Sequence, residues 1–366
     1  MVEEKFLNLT NAVCDDVRQS LRKWYLIHQR PLPWRESSDP YFIWLCEIIM
    51  QQTRIDQGLK YWLHFTERWP TVQALANASE ESVMKAWQGL GYYSRAKNLH
   101  RTAQIVAFEL GGKFPDRAEG LQQLPGIGPY TASAIASISY GQPIAAVDGN
   151  VMRVISRWAD IQEPIDTPNA KRWIESVAAQ WLAPDWPGEH NESVMELGAL
   201  VCKPQSPNCS ECPLALTCKN SCKPGETPMV PVKLGKQKVQ DVYVTFDVIS
   251  DGEHVVMTPR PAGGIWGGLW EFPSTWEKSK FSASPPDMNV AKWSLGPLIS
   301  EGLWGPEFLH VLSHRRLHCR FRIWKATGLD RDSGHIWNLD EVHSLPIPRA
   351  LELHWEALIK RIFNNG

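Results

Sequence analysis

The 366-residue chain has no apolar run of eighteen residues or more, which excludes a membrane-spanning helix of the ordinary kind. It also lacks a dominant charge: 38 Lys and Arg stand against 40 Asp and Glu, for a net charge of −2. Neither half is basic, so broad electrostatic adhesion to nucleic acid is not available. Any such binding must rest on locally arranged charge, helix N-termini and shape. The opening Met1-Val2-Glu3-Glu4-Lys5 has neither the cationic start of a signal peptide nor the Arg-rich character of a transit peptide. A cytoplasmic location is expected, at the nucleoid if the partner is nucleic acid. The eight cysteines are unevenly spread, with Cys202, Cys209, Cys212 and Cys218 packed together and Cys14, Cys46, Cys222 and Cys319 scattered. In a reducing cytosol such crowding points to metal ligation in preference to disulfides.

Strand-like alternation is also missing up to about residue 240. From residue 9 to 222 apolar residues recur at three- and four-residue spacing, as in Val13, Val17 and Leu21, and Pro and Gly cut the runs into helices of ordinary length. Residues 223–240 are rich in Pro, Gly and Lys and read as a linker. Beyond it, Val242–Ile249 is β-branched and aromatic, Asp251-Gly252 makes a turn into His254–Met257, Arg320–Trp324 alternates, and Arg349–Phe363 reads as a helix. The expected fold is a mostly α N-terminal domain over residues 1–222, joined by the linker to a smaller α+β domain over 241–366.

Three features carry chemistry. Cys202-x6-Cys209-x2-Cys212-x5-Cys218 offers four soft thiolates to one centre, which suits a [4Fe–4S] cluster or a tetrahedral zinc. Leu124-Pro125-Gly126-Ile127-Gly128-Pro129 lies between helical segments, and Gly126 and Gly128 let backbone N–H groups approach an anion beside a helix N-terminus. Such a hairpin grips a DNA phosphate without reading a base. Asp148 precedes the apolar run Val151, Val154 and Ile155, as a helix N-cap would, and a carboxylate there can stabilise a sugar cation. Glu47, set among Leu45, Cys46, Ile48 and Ile49, is the candidate acid, because desolvation raises a carboxyl pKa.

These motifs, with Leu32-Pro33-Trp34-Arg35, Gln51-Gln52-Thr53-Arg54, Gly89–Ala96 and Val147–Val151, resemble the adenine DNA glycosylases of the MutY type within the endonuclease III superfamily of helix-hairpin-helix glycosylases. The resemblance covers nearly all of residues 20–222. It implies a [4Fe–4S] cluster on the four cysteines and excision of adenine opposite 8-oxoguanine or guanine in double-stranded DNA. It further implies that Glu47 protonates the flipped base and Asp148 stabilises the sugar cation, with Tyr130 and Asn150 in support. Glu192, Arg30 and Trp34 would line the base pocket, and Met50, Gln52 and Tyr92 would enter the duplex. His190 stands where the family usually has Phe. Tyr130 occupies the place of the lysine that lets bifunctional relatives form a Schiff base, so little or no lyase activity is expected.

Residues 240–364 resemble the Nudix-like domain of the same family on Trp266–Pro273 and Leu312-Ser313-His314. Ser313 and His314 would then sense the opposite base. The Arg-Glu-rich metal-binding helix of true Nudix hydrolases does not follow Pro273, so no pyrophosphatase activity is expected. A monomer that does not touch membranes completes the expectation.

Overall fold

A computed structural model describes residues 9–221, 230–235, 239–261, 263–281 and 290–363. The chain divides into two compact units, Met1–Asn77 with Asn98–Gly235, and Ala78–Lys97 with Lys236–Gly366. The helices up to residue 200 are α1 (Asn11–His28), α2 (Pro40–Met50), α3 (Ile55–Arg68), α4 (Val72–Ala76), α5 (Glu80–Ala86), α6 (Ser94–Gln104), α7 (Ala118–Leu121), α8 (Pro129–Tyr140), α9 (Gly149–Ala159), α10 (Pro168–Trp181) and α11 (Pro187–Leu200). No strand occurs before residue 240 among the described residues.

Local chemistry sets the helix starts. Thr10, Asp39, Thr71, Ser79, Asp148 and Thr167 each accept a hydrogen bond from a first-turn amide, and proline occupies the first turn of α2, α8, α10 and α11, where its missing N–H costs nothing. In the first unit α1, α9, α10 and α11 share a core in which Trp158 meets Trp181 edge-on at 4.9 Å. Part of the segment expected to be a linker is fastened to this unit. Val230 is buried and its carbonyl accepts from Arg157 Nε at 2.9 Å, while Val232 accepts from the Ile165 amide at 3.0 Å. Residues 223–229 and 236–238 of that segment lie outside the described residues.

The second unit is built on a mixed sheet of strands β1 (Gln240–Ser250), β2 (His254–Val256), β5 (Ser274–Glu277), β6 (Leu298–Val311), β7 (Arg315–Ala326) and β8 (Ile336–Asn338), with β3 (Thr258–Pro259) and β4 (Trp270–Glu271) paired separately. The order is β6-β7-β1-β2-β8, β1 running parallel to β7, and β5 also pairs with β1. Alternation along β1 sends Val244, Phe246 and Val248 to one face and Thr245 and Asp247 to the other. Phe246 meets Phe321, and Phe272 stacks on Trp355 at 5.8 Å. On the opposite face Asp247 accepts from Arg322 and Trp324.

Two details differ from expectation. The C-terminal helix is two pieces, α12 (Arg349–Glu352) and α13 (Trp355–Phe363). The His354 amide bonds back three residues to Leu351, tightening the turn, and its ring packs on Phe308. The fourteen-residue β6 is not legible as a strand because Gly302, Gly305 and Pro306 interrupt its alternation, and the ladder accommodates them with register shifts between Ser300 and Gly302 and between Trp304 and Phe308.

In the α10–α11 core, His190 is 2% exposed and its Nδ1 has no hydrogen-bond partner, nor does the Nε1 of buried Trp181 on the same small cavity. Burial, reinforced by the Arg18 charge, lowers the His190 pKa to about 4. The unfolded chain therefore binds a proton that the folded chain refuses, and stability falls as pH drops from about 6.5 towards about 4, by about 3 kcal/mol in all. Thermal melts of His190→Phe across that window are expected to lose this part of the slope, whatever the change in absolute Tm. A slope equal to that of the wild type would assign the acid sensitivity to other groups.

Candidate functional site

In the first unit a pocket of about 580 Å³ opens between the ends of α2, α8, α9 and α11. Glu47 comes from the third turn of α2, Tyr130 from the first turn of α8, Asp148 and Asn150 from the start of α9, and Glu192 from α11. Arg30 and Trp34, ahead of α2, and Met50 and Gln52, at its end, also line it. Nine of the residues singled out in the sequence thus converge on one cavity. A second cleft of equal volume, walled by Asp39, Lys113, Asp116 and Tyr140, gathers none of them.

Glu47 keeps one face on the pocket and is otherwise walled by protein, with Ile48, Ile49 and Cys46 buried around it. Desolvation pushes its pKa up to about 7; a hydrogen bond with Tyr130 opposes this, and the charges of Asp148 and Glu192 add to it. The carboxyl therefore carries a proton over much of the neutral range. Asp148 is the N-cap of α9. Its Oδ1 accepts from the Val151 amide and its Oδ2 from Asn150 Nδ2, both at 2.7 Å. Burial raises its pKa, while those bonds and Arg153 favour the ionised form. The capping side chain thus also borders the pocket. The Tyr130 phenol, raised well above its usual pKa by burial, contacts the Met195 sulfur at 3.6 Å.

Residues that the motifs did not single out complete the floor. Glu196 accepts five bonds, from the backbone and guanidinium of Arg30 and from both terminal nitrogens of Arg35, at 2.6–3.1 Å. Burial alone would raise its pKa, yet these donors outweigh burial and hold it near 2. Tyr25 donates to Glu192 at 3.2 Å. Arg35 adjoins Trp34, and Glu196 lies one helical turn from Glu192, so neighbourhood in sequence was the available signal. His190, by contrast, points into the core and away from Glu192.

The hairpin 122–128 connects α7 to α8, with Gly126 in a left-handed conformation (φ 79°) and Gly128 as the α8 N-cap. The helix that follows the hairpin also carries Tyr130, so the hairpin leads directly into the wall of the pocket. The four cysteines line a single cavity of about 30 Å³ with Arg157, and the Cys212 thiol, pushed up to about 12 by burial, also senses the other three. Arg157 donates to the Cys202 sulfur at 3.4 Å and to the carbonyls of Lys203 and Pro204. Among the described residues no group of three or more His, Cys, Asp and Glu is drawn together as a single metal ion requires. Four thiol sulfurs bordering one cavity are donors of the type that a thiolate-held group takes. Arg153 joins loop to pocket, donating to the Cys202 carbonyl and to Asn150 Oδ1, both at 2.8 Å.

In the second unit, Leu312-Ser313-His314 is the exposed tip of the β6–β7 hairpin. Tyr92 reaches the Ser313 hydroxyl, so two separated motifs meet. Of Met50, Gln52 and Tyr92, the three residues expected to enter a duplex, Gln52 and Tyr92 have left-handed backbones (φ 56° and 47°), a conformation that bulky side chains rarely adopt.

Residues 45–179 match the HhH-GPD superfamily of base excision DNA repair proteins, and residues 244–357 match the NUDIX domain. A thermostable thymine-DNA glycosylase superposes with a TM-score of 0.51 at 23% identity, covering 58% of this chain and 97% of that one. Endonuclease III, trapped as a covalent intermediate with DNA, gives 0.50 at 21%, with the same coverages. The first unit is therefore a helix-hairpin-helix fold of the base excision repair class, and the C-terminal domain is Nudix-like. The chain is 35% identical over 356 residues to the adenine DNA glycosylase of Homo sapiens, covering 82% of this chain and 65% of the human one. For Mus musculus the identity is 35% over 353 residues, with coverages of 82% and 68%. For Buchnera aphidicola subsp. Baizongia pistaciae it is 28% over 338, with 90% and 93%. The chain belongs to the adenine DNA glycosylase family, and it spans about two thirds of the mammalian relatives' length.

Gly198 lets α11 approach the start of α9: a Cβ there would lie 2.6 Å from the Asn150 Cβ and 3.2 Å from its Cα. Gly198→Ala is expected to cost about 1–3 kcal/mol in denaturant melts and to displace the first turn of α9 in a crystal structure. An unchanged melt and an unmoved Asn150 would mean that the contact does not fix the site.

Proposed function

We propose that this chain removes adenine paired with 8-oxoguanine or guanine from double-stranded DNA, as a monofunctional glycosylase of base excision repair. The observation that carries the reading is a carboxyl protonated near neutrality, Glu47, sharing one pocket with a hydrogen-bonded carboxylate, Asp148. An N-glycosidic bond breaks when the leaving base takes up a proton and the sugar becomes cationic. Glu47 supplies the proton. Asp148, oriented by the Val151 amide and by Asn150, faces the developing positive charge. A base in a stacked duplex cannot reach either group, so it must be flipped into the pocket.

Tyr130 has no amine and cannot form a Schiff base, which separates this reading from a glycosylase-lyase. Gly126 and Gly128 would hold a phosphate, Met50 and Gln52 would fill the space left by the flipped base, and Tyr92 with Ser313 and His314 would meet the opposite base. The four cysteines fit a [4Fe–4S] cluster, which when bound would cross-link the loop that closes the helical unit. Complexes of endonuclease III with DNA support DNA as the partner of this fold.

Single-turnover incubation with a duplex bearing adenine opposite 8-oxoguanine is expected to give strand breaks only after alkali. Breaks without alkali would favour a lyase, and a duplex that keeps its adenine would sink the assignment. Base release should decline as pH rises through about 7, where Glu47 loses its proton. Glu47→Gln and Asp148→Asn are each expected to lose at least about 100-fold in release while duplex binding persists; parallel loss of binding would make these residues scaffold.

A further inference from the structure

Glu196 follows Glu192 by one turn on α11, and its side chain is 1% exposed. Its two oxygens hold the Arg30 and Arg35 guanidinium groups together at the pocket wall. Such a bidentate, charge-assisted arrangement fixes orientation as well as charge. Arg35 Nε is buried without a close hydrogen-bond partner and faces Glu192 Oε1 across 3.5 Å, a long ion pair. The other Glu192 oxygen already accepts from Tyr25. A small rotation of Arg35 would shorten this contact and engage the second oxygen of Glu192, a residue that lines the pocket.

We propose that Glu196 is a positioning residue that acts through Arg35, holding its guanidinium back from Glu192 so that one Glu192 oxygen stays vacant for the amino edge of a purine. The inference rests on the base-pocket reading above. Its consequence reaches the acid. Glu47 is faced by Cys46 on its own helix, Tyr130 on α8, Asp148 at the start of α9 and Glu192 on α11, and the Glu192 charge helps it to keep a proton. Arg35 clamped onto Glu192 would cancel that charge, and Glu47 would then release its proton at lower pH.

The test is the pH profile of single-turnover adenine release by the full chain, for wild type, Glu196→Gln, Glu192→Gln and the double variant. Glu196→Gln should move the alkaline limb down by about one pH unit, and slow release on the order of tenfold at pH 7.5. Glu192→Gln should move it in the same direction. Adding Glu196→Gln to Glu192→Gln should change little further, the non-additivity expected of one residue acting through another. Additive losses, or a slower rate on an unshifted limb, would leave Glu196 a merely structural buried ion pair and overturn the proposal. If Glu196→Gln does not fold, Arg35→Lys serves instead: one ammonium cannot span both carboxylates, and an unshifted limb there overturns the proposal equally. A wild-type enzyme that releases no adenine would bring down the base-pocket reading and this inference together, an outcome distinct from an active wild type with an unaltered variant.

Discussion

The close packing of α11 against α8 and α9 governs the geometry around the pocket. Gly188 sits where a side chain would meet the Ile138 Cα at 2.8 Å and the Ser137 carbonyl at 2.9 Å on α8, and Gly198 does the same against Asn150 on α9. Two positions without a Cβ therefore set how near three helices lie. Their spacing decides whether the carboxyl on α2 and the N-cap of α9 border one cavity or two. Interiors packed like organic crystals transmit such sub-ångström constraints with little slack.

Within that frame, water exclusion and charge compensation work against each other residue by residue. The four carboxyls around the pocket meet four different fates. Glu196 is overcompensated by two arginines, Asp148 is held by an amide and an asparagine, Glu192 has Tyr25 and the Arg35 ion pair, and Glu47 has the Tyr130 phenol. The graded supply of donors, on residues of nearly the same type, separates Glu47, raised to about 7, from Glu196, held at about 2.

Much of this was legible in the sequence because it depends on residue type at short spacing. The hairpin glycines, the Asp148 cap and an acid amid Leu45, Ile48 and Ile49 all announce themselves within a few residues. What escaped notice depends on long-range convergence. Glu196 finds Arg30 and Arg35 more than 160 positions away, and Arg157 is buried because the cysteine loop and Val230 fold over it. The same limit hid β6, whose register is set by β7 and whose own sequence of Gly302, Gly305 and Pro306 argues against a strand. The break between α12 and α13 likewise follows from the seat of His354 on Phe308.

The dry wall of the pocket has one more effect. Cys46 borders Glu47 and lines the same cavity, and burial drives its pKa well above the usual thiol value, with the neighbouring Glu47 and Glu192 charges pushing the same way. The thiolate, not the thiol, is the nucleophile that attacks peroxides and disulfides. The surroundings that leave a proton on the carboxyl therefore also leave one on the sulfur, and the cavity contains a cysteine in its oxidation-resistant form.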